Sequence, residues 1–171
     1  MKFVRRFALA TAIIASTVAA QDVRVDMKIP ADRKPAPAFS LEDTTGKSAT
    51  LADYPGRVVL LDFWATWCGG CKKEIPWFIG FSRQYAPQGL SVVGAAMDDE
   101  GWKVVKPFLA QNDIPYRIVV GDDALMKRFD VDSLPDTFLI DKHGRLAATY
   151  SNGLVDRANI EANIKSLLAE P

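Results

Sequence analysis

A chain of 171 residues with 21 basic and 21 acidic side chains is long enough for one domain with a substantial core. Its balanced charge leaves no electrostatic footprint for nucleic acid. Two cysteines and one histidine are too few for a four-ligand structural zinc site.

Residues 1–20, MKFVRRFALATAIIASTVAA, carry Lys2, Arg5 and Arg6, then an apolar run from Phe7 to Val18, then Ala19 and Ala20. That order is the layout of a secretory signal peptide, with cleavage expected after Ala20. A retained membrane anchor is the alternative, although the run is shorter than the ~20 residues that span a bilayer. Export would place the mature protein where disulfides persist. Residues 21–35 are polar and proline-containing and read as a linker, leaving a domain over 36–171. AFSLEDTTGKSATL reads as two short extended pieces around a turn at Gly46, and VVLLDF (58–63) as a central strand buried on both faces. Helical spacing of Ile75, Phe78, Ile79, Ser82 and Tyr85 predicts a helix from Cys68 to about Tyr85. LSVVGAAM (90–97) is a second buried strand. A helix capped by Asp98 or Asp99 runs to about Asn112, with Pro107 a candidate interruption. YRIVV (116–120) is a third strand and ALMKRF (124–129) a short helix. TFLID (137–141) and RLAATY (145–150) form a hairpin, and the last helix from about Asp156 aligns Ile160, Ile164, Leu167 and Leu168. The alternation predicts an α/β fold with a mixed central sheet flanked by helices.

The stretch FWATWCGGCKKEIP (63–76) holds both cysteines of the chain. A bridge between Cys68 and Cys71 closes a very short loop and removes little unfolded-state entropy, so the pair points to chemistry. At the start of a helix, Cys68 meets unpaired N–H groups and the positive end of the dipole, which favour its thiolate. Cys71, one turn on, can attack a mixed disulfide formed at Cys68 and release the partner. Covalent haem attachment would want histidine after the second cysteine, where Lys72 stands. Asp62 interrupts an apolar strand, and a carboxyl there either ionises at high cost or keeps its proton. Glu74 lies three residues after Cys71 on the same helical face, and a buried acid titrating near neutrality suits proton transfer to and from a thiol. Lys72, Lys73, the acids at 98–100 and 122–123, and His143 read as solvent-facing.

VVLLDFWATWCGGCKKEIP resembles the active-site segment of the thioredoxin superfamily, and SLPDTFLIDKHG its cis-proline segment and hairpin. The PAPAFSL opening and the helix around 98–112 resemble the exported TlpA/ResA-like branch. The resemblance implies a thioredoxin-like fold and an exported thiol–disulfide oxidoreductase, a reductase of periplasmic proteins, for example in cytochrome c maturation. It implies Cys68 as nucleophile, Cys71 as resolving thiol and Asp62 and Glu74 as proton-handling acids. Trp67, Leu134 and a cis-bonded Pro135 would line the substrate groove, and Pro76 would bend the first helix. Gly70 stands where the family commonly has proline. No bound cofactor or metal is called for. The implied partners are disulfide-bearing proteins and a membrane or periplasmic dithiol donor. The alternatives are a disulfide-forming oxidase on the same site, a peroxiredoxin-like peroxidase and a copper chaperone. The peroxiredoxin signature would want threonine and proline where Ala65 and Leu61 stand, and a copper site usually recruits further His or Met ligands.

Overall fold

The computed structural model describes residues 24–151 and 155–171; the expected leader and its cleavage site lie outside them. A two-stranded antiparallel ribbon, β1 (Ser40–Glu42) and β2 (Ser48–Thr50), precedes the main sheet. That sheet is built from β3 (Val58–Trp64), β4 (Leu90–Ala96), β5 (Arg117–Val120), β6 (Asp136–Ile140) and β7 (Leu146–Ser151), in the order β5-β4-β3-β6-β7. Strands β3, β4 and β5 run parallel; β6 is antiparallel to β3, and β7 to β6. The helices are α1 (Cys71–Tyr85), α2 (Trp102–Asn112), α3 (Asp123–Phe129) and α4 (Arg157–Ala169). The expected thioredoxin-like architecture is therefore present, with the strands where the apolar runs put them.

Every residue of β3 is buried, because both sheet faces are covered. Val58, Leu60 and Trp64 pack with Ile75, Phe78 and Phe81 of α1 and Ile160, Ile164 and Leu167 of α4. Val59, Leu61 and Phe63 face the other way, onto Leu125 and Phe129 of α3 and Phe138. By alternation Asp62 points to the α1 side. Arg117 ties the β1–β2 ribbon to β5 through Asp43, Asp53 and the Ser48 carbonyl.

Three local expectations are corrected. Helix α1 begins at Cys71, with Gly70 in the cap, so Cys68 stands one turn ahead of it. Helix α2 follows Gly101, at φ +53°, and runs unbroken through Pro107; neither Asp98 nor Asp99 caps it. The described part of the linker is docked on the domain. Val25 N–H donates to Asn159, Lys28 N–H to the Ala147 carbonyl, and Arg33 is buried between Asp141 and Glu170.

Candidate active site

The parallel strands β3 and β4 end at Trp64 and Ala96, and the site grows from that end of the sheet. After Trp64 the chain turns through Ala65-Thr66-Trp67 into Cys68, whose N–H donates to the Ala65 carbonyl at 3.1 Å. Cys68 and Cys71 are joined in a disulfide, so this is the oxidised form. The Cys71 N–H donates to the Cys68 sulfur at 3.1 Å, and the Lys72 N–H to the Cys68 carbonyl at 3.2 Å. The sulfur of Cys68 thus receives one of the free amides at the start of α1, the donor environment that favours a thiolate. Cys71 is the deeper of the two, at 1% exposure against 5% for Cys68.

Pro135 completes the wall beside the disulfide. The Leu134–Pro135 bond is cis, as the resemblance implies. Gly70 lies against its ring: a Cβ on Gly70 would stand 3.1 Å from Pro135 Cδ. Leu134 is partly buried and touches both core clusters. Trp67 is 67% exposed, an uncovered large apolar side chain next to Cys68. Lys72 and Lys73 face solvent, and Lys72 Nζ sits 6.0 Å from the Phe108 ring of α2, which itself packs on Trp64.

Three carboxyls on the elements around the site are buried: Asp62 of β3, Glu74 of α1 and Asp136 of β6, the last paired with Phe63 in the ladder. Asp62 accepts a 3.3 Å hydrogen bond from Thr137 Oγ1. Burial pushes its carboxyl well above the usual range, and the neighbouring Glu74 charge adds to the effect. Glu74, only 3% exposed, is pushed up to about 7 by burial and by the charge of Asp136. Asp136 follows Pro135 directly, is buried, and has one carboxyl oxygen with no hydrogen-bond partner; burial raises it too. The sequence reading passed over Asp136 as part of a strand motif; an acid just after a groove proline was the available signal. It also passed over Asp98. That residue was read as solvated, but it is 4% exposed and accepts from both the N–H and the hydroxyl of Thr66. His143 stands in the turn at the far end of β6, away from the disulfide. Among the described residues, no group of three or more His, Cys, Asp or Glu is placed to hold a metal ion.

A buried thiol pair, a cis proline and an exposed tryptophan at one sheet end are the elements of a thiol–disulfide exchange site. A family model described as the AhpC/TSA family matches residues 33–149. The chain belongs to the AhpC/TSA family. Within it, the thiol–disulfide oxidoreductase ResA of Bacillus subtilis (strain 168) is 34% identical over 122 residues, covering 71% of this chain and 68% of that protein. ResA of Geobacillus kaustophilus (strain HTA426) is 32% identical over 133 residues, 77% of this chain and 75% of the relative. Among solved structures, a thiol:disulfide interchange protein of the thioredoxin family from Chlorobium tepidum TLS superposes with a TM-score of 0.72. It is 26% identical, and the match covers 82% of this chain and all of that one. A putative thiol:disulfide interchange protein DsbE from Chlorobium tepidum gives 0.68 at 28% identity, with coverage of 87% and 100%. This AhpC/TSA member is a thiol–disulfide oxidoreductase of thioredoxin-like fold.

Proposed function

We propose that this protein is an exported reductase of disulfides in other periplasmic proteins, the disulfides handled during cytochrome c maturation being the substrates its resemblance implies. In the reduced form, the Cys68 thiolate attacks one sulfur of a substrate disulfide. A Cys68–substrate disulfide forms and the first substrate thiolate leaves, taking up a proton. Cys71 then gives its proton to a buried carboxylate and attacks the Cys68 sulfur. The second substrate thiolate departs and the Cys68–Cys71 bond of the present structure is made. Glu74 is the acid suited to hold that proton, because it titrates near neutrality. Asp62, whose carboxyl burial also raises, is the second acid of the pair, and the charge of Asp136 adds to burial in holding Glu74 up. Trp67, Leu134 and Pro135 line the groove for the substrate chain. The two electrons and two protons are returned by a dithiol donor at the membrane or in the periplasm.

The observation that supports this reading is the Cys71 N–H donated to the Cys68 sulfur of the disulfide, a donor that would favour a thiolate there after reduction. The test is the redox potential of the couple against glutathione, together with trapping by Cys71→Ser. A potential near the roughly −270 mV of thioredoxin, with mixed disulfides accumulating only on Cys71→Ser, is expected. A value near about −120 mV would make the protein an oxidase. Trapping on Cys68→Ser would reverse the two thiols.

A further inference from the structure

Asp98 is placed where no argument about the sheet requires an acid. The β3–β4 ladder has its last rung where Met97 N–H donates to the Trp64 carbonyl at 2.8 Å. One residue further on, Asp98 turns back toward the loop that leads to Cys68. Its Oδ1 accepts from Thr66 N–H at 3.1 Å and Thr66 Oγ1 at 2.5 Å, and its Oδ2 accepts from the same N–H at 3.0 Å. The side chain is almost wholly buried, and among the described residues no lysine or arginine pairs with it. Burying a carboxyl without a cation costs several kcal/mol, and a neutral acceptor would tie a loop without that cost. An acceptor-only group has one advantage: both its oxygens can face donors. An amide in its place would turn an NH2 toward the Thr66 N–H.

The residue so clamped lies two before Cys68 and one before the exposed Trp67. Among the described residues, the backbone tie that follows in this loop is the Cys68 N–H to the Ala65 carbonyl. In this oxidised form the disulfide itself keeps the Cys68 sulfur 3.1 Å from the Cys71 amide; once the bond is reduced, the position of this loop sets that approach. We infer that Asp98 is a positioning residue, which pins Thr66 so that Cys68 stays on the Cys71 amide and Trp67 stays presented to the substrate. The inference rests on the reading above that Cys68 is the attacking thiol.

The charged groups on the elements that build the site are Asp62 of β3, Lys72, Lys73 and Glu74 of α1, Asp136 of β6, and Asp98 itself. The clamp is tested by the rate at which iodoacetamide alkylates the reduced protein across the pH range, and by KM and kcat for a disulfide-bearing protein substrate. Asp98→Asn and Thr66→Val are expected to slow alkylation at about pH 6 by roughly tenfold, within the up to ~100-fold that a 1 Å misplacement can cost. The midpoint of the curve moves to higher pH and KM rises. Thr66→Ser, which returns the hydroxyl, restores both relative to Thr66→Val. If Asp98→Asn does not fold, the two Thr66 variants decide the matter alone. Variants that fold and keep the wild-type alkylation curve and KM overturn the clamp. Cys68→Ser is measured alongside: if it still exchanges disulfides, the assignment of the nucleophile fails instead.

Discussion

Between about pH 4.5 and about 7, folded Glu74 keeps a proton that the unfolded chain has released. Its folded value lies above its unfolded one, so its stabilising contribution is complete below the window and disappears as pH rises through it. The difference is on the order of 3 kcal/mol. Urea unfolding of the oxidised protein should therefore show higher stability near pH 5 than near pH 8, and Glu74→Gln should flatten that slope. Asp136→Asn removes a charge that holds Glu74 up, so the pH–rate limb governed by Glu74 should move to lower pH. An unchanged limb would detach Asp136 from the proton's path. The two glycines between the cysteines make a second contrast. A Cβ on Gly69 meets nothing within 4 Å, whereas one on Gly70 meets Pro135. Gly69→Ala should stabilise the fold by about 0.4–1 kcal/mol through the unfolded state. Gly70→Ala should give less or become unfavourable, and should slow exchange by crowding the proline. Paired denaturant curves decide it.

Strands β3, β4 and β6 were legible because strands buried on both faces read as near-continuous apolar runs, broken here by Asp62 in β3 and by Asp136 and Thr137 in β6. The body of α1 was legible from its period, but its first residue was not. The cap there is Gly70 without a side-chain acceptor, and a cysteine sulfur takes the amide of Cys71. The same limit hid Asp98 and Asp136. Their polar character suits a surface, and the partner that buries Asp98 lies 32 residues away in the chain. Composition also failed for residues 24–35. Their anchoring combines backbone pairs, Lys28 N–H to the Ala147 carbonyl and Leu146 N–H to the Lys34 carbonyl, with side-chain partners far along the chain, Asn159 and Asn163 on Val25 and Asp141 and Glu170 on Arg33. Polar, proline-containing sequence does not reveal such bonds. This segment covers the free side of β7, the edge strand of the sheet. A chain that starts at residue 36 should expose that edge and self-associate, since unpaired strand edges template pairing. Light scattering at increasing concentration checks it, and a monodisperse monomer would refute it.

At the scale of the molecule, Arg33 joins the two ends of the described chain. Its guanidinium holds Glu170 with two bonds of 2.6 Å and Asp141 at 3.1 Å, with Lys28 O on its Nε. Arg33→Ala leaves Asp141 buried with Arg145 as its remaining cation, and should cost about 3 kcal/mol in urea unfolding. A loss below about 1 kcal/mol would reduce the cluster to an ordinary surface pair. The path between Arg33 and Arg24 has a further consequence. Arg24 lies 3.9 Å from Asp156, the cap of α4, and Val25 is bound to Asn159. β7 arrives at that end of the sheet with Ser151 opposite Asp136, beside Pro135. The segment thus runs along β7 with its upstream end at the start of α4, the end of the sheet where β6 begins after Pro135, while Glu170 caps the other end of α4, at the opposite pole. A bulky protein fused ahead of Arg24 should stand over the groove and slow reduction of a large substrate several-fold while sparing a small-molecule disulfide. The same protein fused behind Pro171 should leave both rates alone, so a label, a bead or a surface is best attached at that pole.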